Sequence, residues 1–262
     1  MDTVRQPITT ETVLGHIKSK SDLVAQDFDS NYDEIFYGLA EEIAESLETL
    51  IGLIDSEGEN ALSDADFQSA IFLWNGLGSI ISAIEIFRRG HILEPQTILR
   101  MVVETVASAF DIHSNPDKLI QLKSNKYDST KAISIATKAI PLAGQEYGVL
   151  SNYISHISLL HTAPKGNLDQ TNPTLWIGGG YKKEHEKYHY GVFMAIKTTL
   201  SLLNEFMEVI FYEKIKKHKY IKKNLNGELV IDISEPTAGK WKSIAEKFRE
   251  LMDIDMDDID IK

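Results

Sequence analysis

The chain has no cysteine. Disulfide staples, thiolate nucleophiles and cysteine-based zinc sites are thereby excluded. A positive excess is lacking too: 27 Lys and Arg stand against 39 Asp and Glu, a net charge of −12. A strongly acidic chain repels polyanions at long range, so general binding to nucleic acid or to a membrane surface is disfavoured unless a local basic patch overrides it. The N-terminal stretch "MDTVRQPITTETV" has no basic segment followed by an apolar run and does not read as a signal peptide. The most apolar window, residues 71–87, is broken by Asn75, Ser79, Ser82 and Glu85 and is shorter than a bilayer span. A cytoplasmic protein without membrane association is the expectation. A phosphate loop is missing as well, since "WIGGGYKK" has neither the spacing nor a preceding strand, and no Gly-x-Ser-x-Gly elbow occurs.

What is present is helical periodicity. Ile35, Phe36, Leu39, Ile43, Leu47, Leu50, Ile51 and Ile54 form one apolar stripe, with Glu41, Glu42, Glu45 and Glu48 opposite and Ser30 or Asn31 as candidate cap. Ser63-Asp64-Ala65-Asp66 opens a second helix that stops at Gly90 and carries Gly76 and Gly78, where another helix could approach closely. Pro95 suits the first turn of a third, "QTILRMVVETVASAFDI". "STKAISIATKAI" and "GQEYGVLSNYISHISLLH" follow, then a long loop over 162–181 and a helix expected from about Lys183 to Lys217. "NLNGELVIDI" suggests a small β-hairpin around Asn226-Gly227, and an amphipathic helix over 238–252 precedes an acidic tail. The expectation is an all-α bundle of about seven helices over 1–223, with a short C-terminal appendage over 224–262.

The third helix is apolar round most of its circumference, yet Arg100, Glu104, Ser108 and Asp111 form one polar stripe on it. A buried Arg or Glu is costly unless paired, so the stripe belongs to an internal network, a cleft or the rim of the bundle. "SNYISHISLLH" supplies a facing partner: Asn152, Ser155 and His156 share one side of a helix whose other side is apolar. His156 and His161 are five apart, the wrong spacing for a metal-binding helix. His185, Glu186 and His189 match His-Glu-x-x-His literally. They sit in lysine-rich first turns where exposure is expected and a third ligand is not evident, so no metal and no cofactor is expected.

"RRGHILEPQTILRMVVETV" followed by "YGVLSNYISH" resembles a family of uncharacterised bacterial helical proteins. The matching residues are Arg89, Gly90, Arg100, Glu104, Tyr147, Leu150, Ser151 and His156, and the resemblance covers roughly residues 65–210. That family is similar in layout to HEPN domains, many of them metal-independent RNases of toxin, abortive-infection and phage-defence systems. HEPN nucleases carry Arg-polar-x-x-x-His; here Ser151 stands where the Arg belongs. The resemblance implies a defence or toxin–antitoxin protein that binds RNA or a protein partner, as a homodimer, through a cleft lined by Arg100, Glu104, Asn152 and His156. A metal-independent RNase using His156 with Arg100, or a non-catalytic dimerisation module, are the alternatives. In the RNase, His156 would move the proton at a 2′-hydroxyl and Arg100 would stabilise phosphate charge.

A second candidate surface is "EKIKKHKYIKK", whose Lys216, Lys217, Lys219, Tyr220, Lys222 and Lys223 could track a phosphate backbone. The competing expectation is that these lysines complement the C-terminal dipole of the preceding helix, or pair with the acidic tail.

Overall fold

The computed structural model describes residues 9–15, 21–58, 61–155, 181, 183–232, 246–247 and 249–251. Eight α-helices run in order: α1 Thr10–Gly15, α2 Ser21–Ile54, α3 Asp64–Arg88, α4 Glu94–Ser114, α5 Lys118–Lys123, α6 Ser129–Ala139, α7 Pro141–Val149 and α8 Glu186–Ile210. A π-helical turn, Leu150–Ser155, prolongs α7, and a 3-10 turn, Lys183–His185, leads into α8. A two-stranded antiparallel hairpin pairs β1 Ile221–Lys223 with β2 Leu229–Ile231, and Gly227 turns it at φ 80. The fold is thus an all-α multi-helix bundle with a small hairpin. His156, the loop over 162–180 and the acidic tail lie outside the described residues. So does the C-terminal helix expected over 238–252, apart from helical residues 246–247 and 249–251.

Local chemistry sets the helix starts. The Ser63 side chain accepts the Asp66 amide at the head of α3, and Asp128 accepts the amides of Thr130 and Lys131 at the head of α6. Pro95 and Pro141 occupy first turns, where a missing N–H costs nothing. Gly90 ends α3 at φ 86.

Two helix limits differ from the periodicity. α2 begins at Ser21 and runs through the expected cap with a bend at Tyr32 (φ −133). Ser30 and Asn31 donate back to the carbonyls of Gln26 and Asp27 rather than capping, and such back-bonding bends helices. α8 stops at Ile210, not near Lys217. From Phe211 the chain leaves as a turn and then a strand, so the lysine-rich stretch is a strap rather than a helix end.

The core is shared by α2, α3, α4, α6, α7 and α8, through Phe28, Leu39, Phe87, Leu99, Ala136 and Phe206 among others. Gly76 makes one close crossing: a Cβ there would stand 3.0 Å from Leu203 Cδ1 and 3.6 Å from Val102 Cγ1, so side chains of α8 and α4 rest directly on the α3 backbone. α3 is also the one described helix long and apolar enough to cross a membrane by length and composition. Nine of its residues are buried in the bundle.

Candidate functional site

The polar stripe of α4 divides in two. Its C-terminal half is closed. Asp111 is fully buried and accepts from Tyr127 Oη at 3.0 Å and Asn115 Nδ2 at 3.1 Å, while Ser108 Oγ donates to the Glu104 carbonyl at 2.8 Å. Burial and the Asp111 charge push the Tyr127 hydroxyl pKa up, so it stays a donor. This half is structural.

The N-terminal half is open. Arg100 Nη2 lies 3.0 Å from Glu104 Oε1, with side-chain exposures of 31% and 27%. The same Nη2 donates to Tyr147 Oη at 2.9 Å, and the guanidinium carbon stands 5.2 Å from the centre of the Tyr147 ring. α7 and the π-turn pack on α4, and Tyr147 of α7 meets Arg100. Asn152 is exposed and Ser151 half-buried. Arg100, Glu104 and Tyr147 are therefore neighbours, and the π-turn that prolongs α7 packs on the same helix, α4. π-turns are rare and recur at functional sites.

One buried polar atom on each of α4 and α7 has no hydrogen-bond partner among the described residues: Arg100 Nε and Glu146 Oε1. Burial raises the Glu146 carboxyl to about 7, so it titrates near neutrality. The sequence reading passed over Glu146. Its helix has no amphipathic signal, and only the packing of α7 shows that the carboxyl turns inward.

The lysine strap crosses the outer side of α2 and α8. Lys219 pairs with Glu45, Lys222 with Asp232 at 2.8 Å and Lys223 with Glu213 at 2.7 Å, and Tyr220 Oη donates to Glu42 Oε1 at 2.9 Å. Lys216 and Lys217 are exposed with no carboxylate partner among the described residues. The carboxylate of Glu208 collects the backbone amides of Lys219, Tyr220 and Ile221 at 2.7, 2.9 and 2.8 Å and fixes the strap to α8. Beneath the strap is a cavity of about 430 Å³, whose lining includes Glu45, Glu48, Asn204, Lys217, Lys219 and Tyr220. Three of the strap's six lysines are paired with carboxylates within the chain.

The His-Glu-x-x-His match resolves into packing. His189 is buried, contrary to the expected exposure, because the ring sits against Phe28, Phe87 and Tyr181. Its Nδ1 is engaged by Tyr32 Oη at 2.9 Å, and Glu186 accepts from Tyr181 Oη at 2.5 Å. Among the described residues no group of three His, Cys, Asp or Glu could hold a metal ion.

No protein-family model, no curated protein and no solved structure matches the chain.

Proposed function

We propose that the protein is a binding module related in layout to HEPN domains, of a bacterial defence or toxin–antitoxin type, and that it holds a protein partner on the Arg100 face. One observation carries this reading. Arg100 is half-exposed and held by Glu104 and by Tyr147 of α7, the helix whose π-helical extension carries the exposed Asn152. A pre-oriented guanidinium is suited to a carboxylate or carbonyl of a partner, and the exposed Asn152 amide offers a second polar contact. Two features favour a protein over RNA: the chain carries a net charge of −12, and Lys219, Lys222 and Lys223 are paired with carboxylates.

The test uses the product of the neighbouring gene as the partner. Co-purification is compared for wild type, Arg100→Ala and Asn152→Ala, with thermal unfolding of each alone. Loss of the partner at an unchanged unfolding temperature supports the reading. An Arg100→Ala chain that unfolds makes the Arg100–Glu104 pair structural and overturns it. Degradation of RNA in the presence of chelator, abolished by His156→Ala, assigns the face to a metal-independent RNase instead.

A further inference from the structure

α3 has an outer face that the other described elements do not cover. Phe67, Ile71, Trp74, Gly78, Ile81 and Glu85 follow one another at alternating steps of four and three, the spacing of a coiled-coil seam. Phe67, Trp74 and Ile81 are 45%, 38% and 46% exposed. At Gly78 a Cβ would meet nothing within 4 Å, in contrast to the crowded Gly76 two residues earlier. No charged side chain occurs from residue 67 to residue 84, in a chain of net charge −12. Gln68, Asn75 and Ser82 border the seam on one side as neutral polar residues. On the other side it continues into an apolar groove of about 260 Å³ between α2 and α3, lined by Phe36, Ala40, Ala44, Leu47, Ile81 and Ile84. Contiguous exposed apolar surface of this kind marks an interaction site.

We propose that this face docks a second copy of the same chain, with the two α3 helices antiparallel about a two-fold axis at the level of residue 76. Charge and size both select this occupant. Acidic copies repel one another over most of their surface, and the seam is where that repulsion is absent. An antiparallel register sets Trp74 of each copy over Gly78 of the other and Ile71 against Ile81, large on small and aliphatic on aliphatic. Phe67 of one copy then reaches the groove beside Ile81 and Ile84 of the other. The acidic start of α3 at Asp64 comes opposite the C-terminal end of α3 in the other copy, and the two helix dipoles run head to tail. A parallel register would stack Gly78 on Gly78, leave a void, and oppose Asp64 to Asp64. The interface is isologous, as a two-fold dimer requires.

The test is sedimentation velocity on the full chain over a concentration series. Wild type should sediment as a dimer. Ile81→Glu and Gly78→Leu should each sediment as monomers with unchanged circular dichroism and unfolding temperature. Gly78→Leu is the sharper variant: the space is open in the single chain and leucine is the better helix former, so only an apposed copy can object. The absence of cysteine allows a register test. Asn75→Cys places one thiol per copy within a residue of the axis, and a short bis-maleimide should link two copies. In Ser82→Cys the thiols stand about 18 Å apart along the axis and should remain unlinked. A monomeric wild type, a dimer that survives both substitutions, or linkage at 82 but not at 75 overturns the proposal. So does a monomer that uses this face to bind neutral lipid vesicles.

Discussion

Tyr32 Oη lies 2.9 Å from Nδ1 of His189 and ties the bend of α2 to the second turn of α8. Both side chains are buried. Burial raises the Tyr32 pKa, with the Tyr181 and Glu186 charges adding, so the hydroxyl keeps its proton. Burial, reinforced by His185, depresses the His189 pKa to about 4 from 6.5.

The sign of the pH effect follows. Between pH 6.5 and about 4 the unfolded chain binds a proton at this position that the folded chain refuses. Stability from His189 is complete above pH 6.5 and is lost as pH falls toward 4, by up to about 1.4 kcal/mol per pH unit. His189→Gln keeps an acceptor for Tyr32 without the titration. Urea unfolding against pH should show a flatter acid limb in the variant; an unchanged limb counts against the assignment.

The second prediction concerns Glu42 and Lys197. Lys197 Nζ donates to both oxygens of Glu42 at 2.6 Å, with side-chain exposures of 13% and 9%. Asn204 and Tyr220 also donate to Glu42, and Ser46 Oγ donates to Asn204 Oδ1 at 2.7 Å. Lys197→Met strands a buried carboxylate and should cost about 3–5 kcal/mol. Adding Glu42→Gln removes that charge while leaving an acceptor, and should recover most of the loss. The urea midpoint at constant slope reads both effects. A double variant no better than the single would show that packing, not charge, decides.

These two pairs also mark where the sequence stops being legible. Helix identity came from local chemistry: Ser63, Pro95, Gly90 and the apolar stripes are read within a few residues of their effect. The packing of α7 and its π-turn on α4 had only a partial signal, the polar stripe of α4, since α7 itself shows no amphipathic pattern. Glu42–Lys197 and Tyr32–His189 are each separated by more than a hundred positions, and nothing local marks Glu42 as different from Glu41 or Glu45. His189 was read as exposed from its lysine neighbours, although its burial is set by Phe28 and Phe87 on other helices. The outer seam of α3 was hidden for the opposite reason. A helix that is apolar on most sides looks fully buried, and only the packing shows which side is left uncovered.

The third prediction tests the strap. Glu208 is buried and its two oxygens receive three consecutive amides, so its charge is spread over the backbone rather than paired with a lysine. Glu208→Gln loses charge and offers one acceptor oxygen in place of two. It should release the strap by about 1–3 kcal/mol while α8 stays helical. Hydrogen exchange at the amides of residues 219–221 should rise with little change in the core, and limited proteolysis should cut first between 211 and 232. Protection unchanged at these amides would mean that Tyr220 and the lysine pairs hold the strap without Glu208.

The last prediction has the opposite pH sign to His189. Burial raises Glu146 to about 7 and Glu205 to about 7, and neither Glu146 Oε1 nor Glu205 Oε2 has a hydrogen-bond partner among the described residues. For Glu205 the Glu208 charge adds to the rise and Lys197 opposes it. A folded pKa above the unfolded 4.5 means that the folded chain binds more protons in that window. Stability from each carboxyl is greatest below pH 4.5 and declines as pH rises toward 7. The His189 and glutamate slopes therefore oppose one another in mildly acidic solution, and wild type should show a shallow optimum there. His189→Gln should leave a curve that falls with rising pH, whereas Glu146→Gln with Glu205→Gln should leave one that rises. Wild-type and variant curves that run parallel would show that neither carboxyl is protonated in the folded chain.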